Sequence, residues 1–246
     1  MTTSGTAGFN LDLNNIVEEA FERCGKELRS GYDLRTARRS LNLLTVEWAN
    51  RGVNLWTIEQ GSIALNENQA IYDLPVDTID LLEHVTRTGT GQNQQDLAIT
   101  RISVSTYATI PNKNATGRPI QVWVDRQSGA TYPAGGRPQG TDPTNGIDYP
   151  KIYVWPAPDQ SNYYTFVYWR LRRIQDAGNG GMTTQDIPFR FLNCLIAGLS
   201  YYLAQKIAPD RLQMLKMQYD EQWKFATEED RDKSAVRFVP RRYFTE

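Results

Sequence analysis

The chain reads as an α+β protein: a helical bundle made from both chain ends, an inserted antiparallel β domain, and an extended C-terminal tail. Three observations predict this. Apolar residues recur every three or four positions near both ends; across the middle the period falls to two; and a charged stretch without an apolar face follows Trp223. The implied boundaries are 1–54 for the first helices, 55–176 for the β domain, 177–229 for the last helices and 230–246 for the tail.

After a polar lead-in, Asp12 is placed to cap a helix bearing Leu13, Ile16, Val17, Ala20, Phe21, Cys24 and Leu28 along one face. Gly31 breaks the chain, and Asp33 reads as the cap of a second helix carrying Leu34, Ala37, Leu41, Leu44 and Trp48. Arg51-Gly52, a basic last turn before a glycine, ends it. Strand character begins at Trp56 and runs to Leu65, broken by Gly61. Short strands are expected over 70–74, 79–86 and 97–99, with Gly89-Thr90-Gly91 as a hairpin loop and residues 103–108 as one helical turn. Residues 120–125 and 152–155 alternate with period two, and 163–171 closes the series. Residues 128–150, crowded with Gly, Pro, Thr and Asn, read as a long exposed loop.

Helical period returns after Gly178-Asn179-Gly180-Gly181. Asp186-Ile187-Pro188 opens a helix with Phe191, Leu192, Leu195, Ile196, Leu199, Tyr202 and Leu203 on its apolar side. Pro209 suits the first turn of the next, which carries Leu212, Leu215, Tyr219, Gln222 and Trp223. Neither terminal pair can bury its stripe alone, so one bundle uses both. Trp48 should then share a core with Leu199 or Trp223.

Composition narrows the function. With 22% charged and 40% hydrophobic residues the 246-residue chain is that of an ordinary folded protein. Its 27 basic and 28 acidic residues leave a formal charge of -1, with no global pull toward nucleic acid or anionic lipid. The start, Met1 to Gly8, lacks the basic and apolar regions of a signal peptide, and the best apolar run, 195–203, is too short to span a membrane. Cys24 and Cys194 lie in apolar helical patterns and read as two buried thiols, as expected of folding in a reducing cytoplasm.

No catalytic constellation emerges. His84 is the only histidine, inside a strand, and with two separated cysteines it cannot complete a typical zinc site. Phosphate-binding glycine motifs and the nucleophile elbow are missing from the sequence. Glu18 and Glu22 fall on the polar face of a helix, and Asp73, Asp77 and Asp80 lack the glycine and terminal glutamate of a calcium loop. No enzyme, cofactor or metal is therefore expected. Six tryptophans and thirteen tyrosines raise another class. Trp123, Tyr132, Tyr149, Tyr153, Trp155, Tyr163, Tyr164, Tyr168 and Trp169 gather in the β block, and such residues either pack cores and interfaces or stack on sugars. A carbohydrate-binding module, as of a tail or surface protein, is the alternative function.

The order of parts resembles the head–tail adaptors of short-tailed bacteriophages, the tail tubular protein A type. The resemblance rests on Leu55-Trp56 after the second helix, Tyr72-Asp73-Leu74-Pro75, and Arg118-Pro119-Ile120-Gln121-Val122-Trp123-Val124. It continues through Ile152-Tyr153-Val154-Trp155-Pro156-Ala157-Pro158-Asp159, Phe166-Val167-Tyr168-Trp169-Arg170, and Ile187-Pro188 leading to Leu203-Ala204. Each is a packing or turn signature, and only their order is specific. The resemblance implies a virion structural protein in a homo-oligomeric ring, usually a dodecamer, with the portal protein above, the tail nozzle protein below and the genome passing through. It brings no catalytic residues. The loop at 128–150 looks longer than that family's, which leaves its partner open.

The tail is the sharpest expectation. Residues 226–233 carry charge without an apolar face, and Val236 to Phe244 mixes aromatic and basic side chains around Pro240. Such a segment cannot offset its ordering entropy alone. It offers a partner Phe238, Tyr243 and Phe244 as anchors, with Arg237, Arg241 and Arg242 for carboxylates. Since the resemblance implies a C-terminal extension on the portal, residues from about Lys233 onward are expected to be mobile in the free subunit and ordered in the virion. With little surplus positive charge, contact with passing DNA should be weak, transient and sequence-blind.

Overall fold

The helix Leu192–Ile207 is apolar almost all round, and a helix of that kind is stable only when surrounded. In the computed structural model, which describes residues 3–6, 8–52, 55–127, 129, 148–178 and 183–229, it is the axis of one of two compact units. The first unit is residues 1–53 with 175–246, and the second is 54–174.

In the first unit α1 (Leu13–Arg23), α2 (Gly31–Arg51) and α5 (Leu212–Glu229) pack against that axis, α4. Asp12 caps α1 by accepting from the Asn15 amide at 2.8 Å. The helix stops earlier than its apolar pattern suggested. Gly25 adopts φ 70, and the Lys26 amide reaches back to the Phe21 carbonyl at 3.0 Å, leaving Leu28 beyond the helix. The cap of α2 is Ser30, not Asp33. Ser30 Oγ accepts from the Asp33 amide at 3.3 Å, while the Asp33 carboxylate accepts from the Ser30 amide at 3.1 Å. This reciprocal box satisfies two amides where Asp33 as cap would satisfy one, so the helix begins earlier. Gly52, at φ 78, ends it.

Trp48 is fully buried and its ring centroid lies 5.5 Å from Phe191 and 5.4 Å from Trp223, so residues distant in sequence share one core. Its indole donates to Tyr219 Oη at 2.9 Å, and Tyr219 and Tyr202 both donate to the Glu47 carboxylate, at 3.3 and 2.6 Å. Arg51 pairs with Glu47 and lies over the Trp223 ring, 4.6 Å from its centroid. A Cβ on Gly198 would come within 2.8 Å of a Leu44 methyl and 2.9 Å of the Tyr219 ring, so glycine permits this close approach.

The second unit is a sandwich of two four-stranded sheets. One has the order β1 (Ile58–Ala64), β8 (Tyr164–Arg172), β3 (Thr78–Thr88), β4 (Gln95–Ala98). The other runs β2 (Ile71–Asp73), β7 (Lys151–Trp155), β6 (Gln121–Asp125), β5 (Thr100–Arg101), with the short helix α3 (Val104–Ala108) between β5 and β6. Pairing is antiparallel except for β5 with β6, where Thr100 and Arg101 run parallel to Gln121 and Val122. Alternation along β6 and β7 buries Val122, Val124, Ile152 and Val154 against Leu81, Phe166 and Tyr168 of the facing sheet. Gly61 interrupts β1 for a packing reason: it stands opposite Tyr168, whose ring occupies the space a Cβ would need. The tail from residue 230 and most of the 128–150 loop lie outside the described residues.

Candidate functional site

The tail candidates Arg237, Phe238, Arg241, Arg242, Tyr243 and Phe244 all fall outside the described residues. Apart from Tyr132, the remaining candidates have definite places.

His84 lies on β3 opposite Tyr168, its ring 5.9 Å from Phe166. Both ring nitrogens are buried without a hydrogen-bond partner. Burial, then the nearby Arg101 charge, pushes its pKa down against the pull of Glu83, so this half-buried ring on β3 favours its uncharged form. Cys24 and Cys194 are free and buried. Burial pushes their thiols up to about 11 and about 12, against weaker opposing effects of Arg211 and Arg51 respectively. The Cys24 thiol donates to the Ser200 carbonyl at 3.3 Å. Neither is poised as a nucleophile, which needs a lowered pKa and access.

Each carboxylate considered earlier is spoken for or solvated. Glu18 and Glu22 are exposed on α1. Asp73 faces Lys151 at 3.6 Å, Asp77 pairs with Arg170, and Asp80 holds Arg101 at 2.8 Å and Arg126 at 3.3 Å. The three aspartates thus have separate cationic partners. Among the described residues no three His, Cys, Asp or Glu side chains come together as a metal set.

Arg170 and Arg172 organise the strongest charged network of the β unit. Arg170 extends from β8 to Asp77 and to Glu59 at 2.9 Å, and Arg172 reaches Glu59 as well. Glu59 stands directly across from Arg170 in the β1–β8 register. The arginine side chains are about nine-tenths buried while both carboxylates keep contact with solvent. Although burial opposes it, hydrogen bonds and charge from Asp77 and Glu59 leave the Arg170 guanidinium pKa raised. The network is a clamp across three strands.

The aromatic cluster divides. Tyr164, Phe166 and Tyr168 belong to the sandwich core. Trp123 and Tyr153 occupy the outward positions of β6 and β7, 4.5 Å apart, and Tyr107 of α3 closes over both at 5.3 and 5.5 Å. Lys113 sits 5.5 Å from the Tyr107 ring centroid. These rings cover one another's faces, the geometry of packing, whereas a sugar needs an open face. Tyr107 escaped the sequence reading because a lone tyrosine in one helical turn has no periodic neighbour. Tyr132 lies outside the described residues.

A second feature missed from the sequence is on the outside of the helical unit. Leu43 and Val46 of α2 and Met214, Met217 and Phe225 of α5 are exposed, off the stripes that face α4. The available signal was their own helical spacing, three apart within each helix and eight from Met217 to Phe225, hidden behind the stronger inward stripe.

No described helix is long and apolar enough to cross a membrane. The chain matches none of the curated proteins significantly. The sequence pattern of the SU10 adaptor protein family, however, matches residues 18–241, spanning the bundle helices, the strands between them and part of the tail. This chain therefore belongs to the SU10 adaptor protein family and has the structural role of a phage adaptor.

Proposed function

We propose that the protein is a head–tail adaptor of the tail tubular protein A type, in the neck of a short-tailed virion. The observation that carries the reading is the family match across residues 18–241, which takes in nearly the whole ordered succession of helices, strands and helices. Copies form a ring, a dodecamer in keeping with the resemblance, between the portal protein and the tail nozzle protein, and DNA passes through it during ejection. The chain's own residues supply rigidity: the Trp48–Tyr219–Glu47 network in the helical unit and the Arg170 clamp in the β unit. The nearly balanced charge suits a channel through which a genome slides, because each strong phosphate contact would hold the DNA back.

The tail segment carrying Arg237, Phe238, Arg241, Arg242, Tyr243 and Phe244 is the proposed portal anchor. Negative-stain imaging of the chain alone and with a portal tests the assembly, with rings expected to cap the portal. Deleting residues 236–246 should leave thermal unfolding nearly unchanged and abolish portal attachment. Undiminished docking by the truncated chain would remove the tail from the account. DNA binding should be sequence-blind and vanish at moderate salt; a sequence-specific footprint would contradict the channel role.

A further inference from the structure

The inward stripe of α2 is Ala37, Leu41, Leu44 and Trp48, all fully buried. At about 100° per residue, Tyr32, Arg35, Arg39, Leu43, Val46 and Asn50 form a second stripe on the opposite side of the same helix. All six are exposed. Tyr32, Arg35, Arg38 and Arg39 line a shallow hollow at its first half. The cationic character of this end reaches inward: Arg39, after burial, lowers the pKa of Lys206, whose ammonium donates to Ser40 Oγ at 2.8 Å.

Helix α5 has the same two-sidedness with the opposite sign. Leu215, Tyr219 and Ala226 are buried, and across the helix from them lie Met214, Met217, Glu221, Phe225 and Glu228, all exposed. Met214, Met217, Asp220 and Glu221 border a groove there. Single exposed apolar residues mean little. Here the exposures run from 42% at Val46 to 67% at Met217 on two helices, each at helical spacing, beside arginines on α2 and beside mainly acidic residues, with Lys224 among them, on α5. Among the described residues Arg35, Arg39, Glu221 and Glu228 form no ion pair.

We propose that the outer face of α2 in one copy packs antiparallel on the outer face of α5 in a second copy of this chain, forming the subunit contact of the ring. The two stripes have the same intervals. Reading α2 backward from Val46 gives Leu43, Arg39, Arg35 and Tyr32; reading α5 forward from Met214 gives Met217, Glu221, Phe225 and Glu228. Val46 then meets Met214, Leu43 meets Met217, Arg39 meets Glu221, Arg35 covers Phe225 and Tyr32 reaches Glu228. A parallel arrangement would keep Arg39 on Glu221 but set Arg35 against Met217 and Glu228 against Val46, whereas the antiparallel one places apolar on apolar side chains and leaves no charge against an aliphatic one, so it is the arrangement selected. The two faces differ, so the contact is head-to-tail. Each bound copy presents the other face to the next, and such a contact forms a ring where the rotation between copies closes.

This inference rests on the self-association proposed above, and charge reversal separates the two. Arg39→Glu and Glu221→Arg, purified singly, should each assemble about tenfold more weakly than the wild type in sedimentation velocity. Mixed in equal amounts, they should recover the wild-type particle. Copies of the two variants then alternate, so that position 39 of each faces the opposite charge at position 221 of the other. Recovery also shows that both variants fold. The combined variant R39E/E221R should assemble alone. If the wild type assembles and both single variants match it, the contact lies elsewhere while the ring stands. Weak singles whose mixture does not recover overturn the pairing. A wild type that stays monomeric at high concentration removes the self-association itself. Singles that assemble normally but lose a portal assign the face to the portal and overturn the proposal.

Discussion

The helical unit and the β unit treat charge differently. In the β unit, Arg170 and Arg172 share Glu59, Arg170 also holds Asp77, Arg101 and Arg126 share Asp80, and Arg87 pairs with Asp96 at 2.7 Å. The helical unit pairs Arg23 with Glu19, Arg29 with Glu27 and Arg51 with Glu47, yet leaves Arg35, Arg39, Glu221 and Glu228 facing outward without an ion pair among the described residues. The lesson is about use. A unit whose charges satisfy one another can stiffen a particle, while unmatched charges beside apolar side chains have binding energy still to release.

The largest expected effect breaks the helical side of this comparison. Trp48→Ala removes a fully buried ring and strands Tyr219, and it should cost about 3–5 kcal/mol in urea unfolding. Alkaline pH comes next. The raised thiol pKa values of Cys24 and Cys194 mean that the folded state holds protons the unfolded chain releases. Their stabilising contribution is complete below the ordinary thiol value of 9.0 and falls as pH rises toward about 11 and about 12. By pH 10 the loss should be about 1 kcal/mol per thiol, read as a falling urea midpoint; a midpoint constant from pH 8 to 10 would refute the burial argument. On the β side, Arg170→Met leaves Asp77 and Glu59 without their shared cation. Because both carboxylates reach solvent, about 1–2 kcal/mol is expected, less than for a fully buried pair. The smallest change, Ser30→Ala, removes one half of the capping box and should cost about 1 kcal/mol. Should Arg170→Met prove costlier than Trp48→Ala, the β clamp and not the helical core would be the stiffer element.

Much of the fold was legible in particular residues. Gly52 ends α2 as its position after Arg51 implied, and β6 and β7 bury the alternating residues their sequences mark. Asp33 was misread because a capping box contains two residues able to cap, and only the backbone geometry shows which one the chain uses. Leu28 was misread because an apolar residue at helical spacing continues a pattern even after Gly25 has turned the chain away. For the surfaces, the strong inward stripe of each helix concealed a weaker outward one.

By itself the sequence determined the succession of helices, strands and helices, the position of most caps and turns, and which side of each element seeks a core. These properties are set by interactions over a few residues, which any local segment carries within it. Only the tertiary structure decided that β1 lies beside β8, that β5 runs parallel to β6, that Tyr107 covers Trp123, and that Arg170 meets both Glu59 and Asp77. Such pairings depend on strand register and on which distant apolar faces meet first at tolerable cost in chain entropy, a competition among whole arrangements that no short segment can settle.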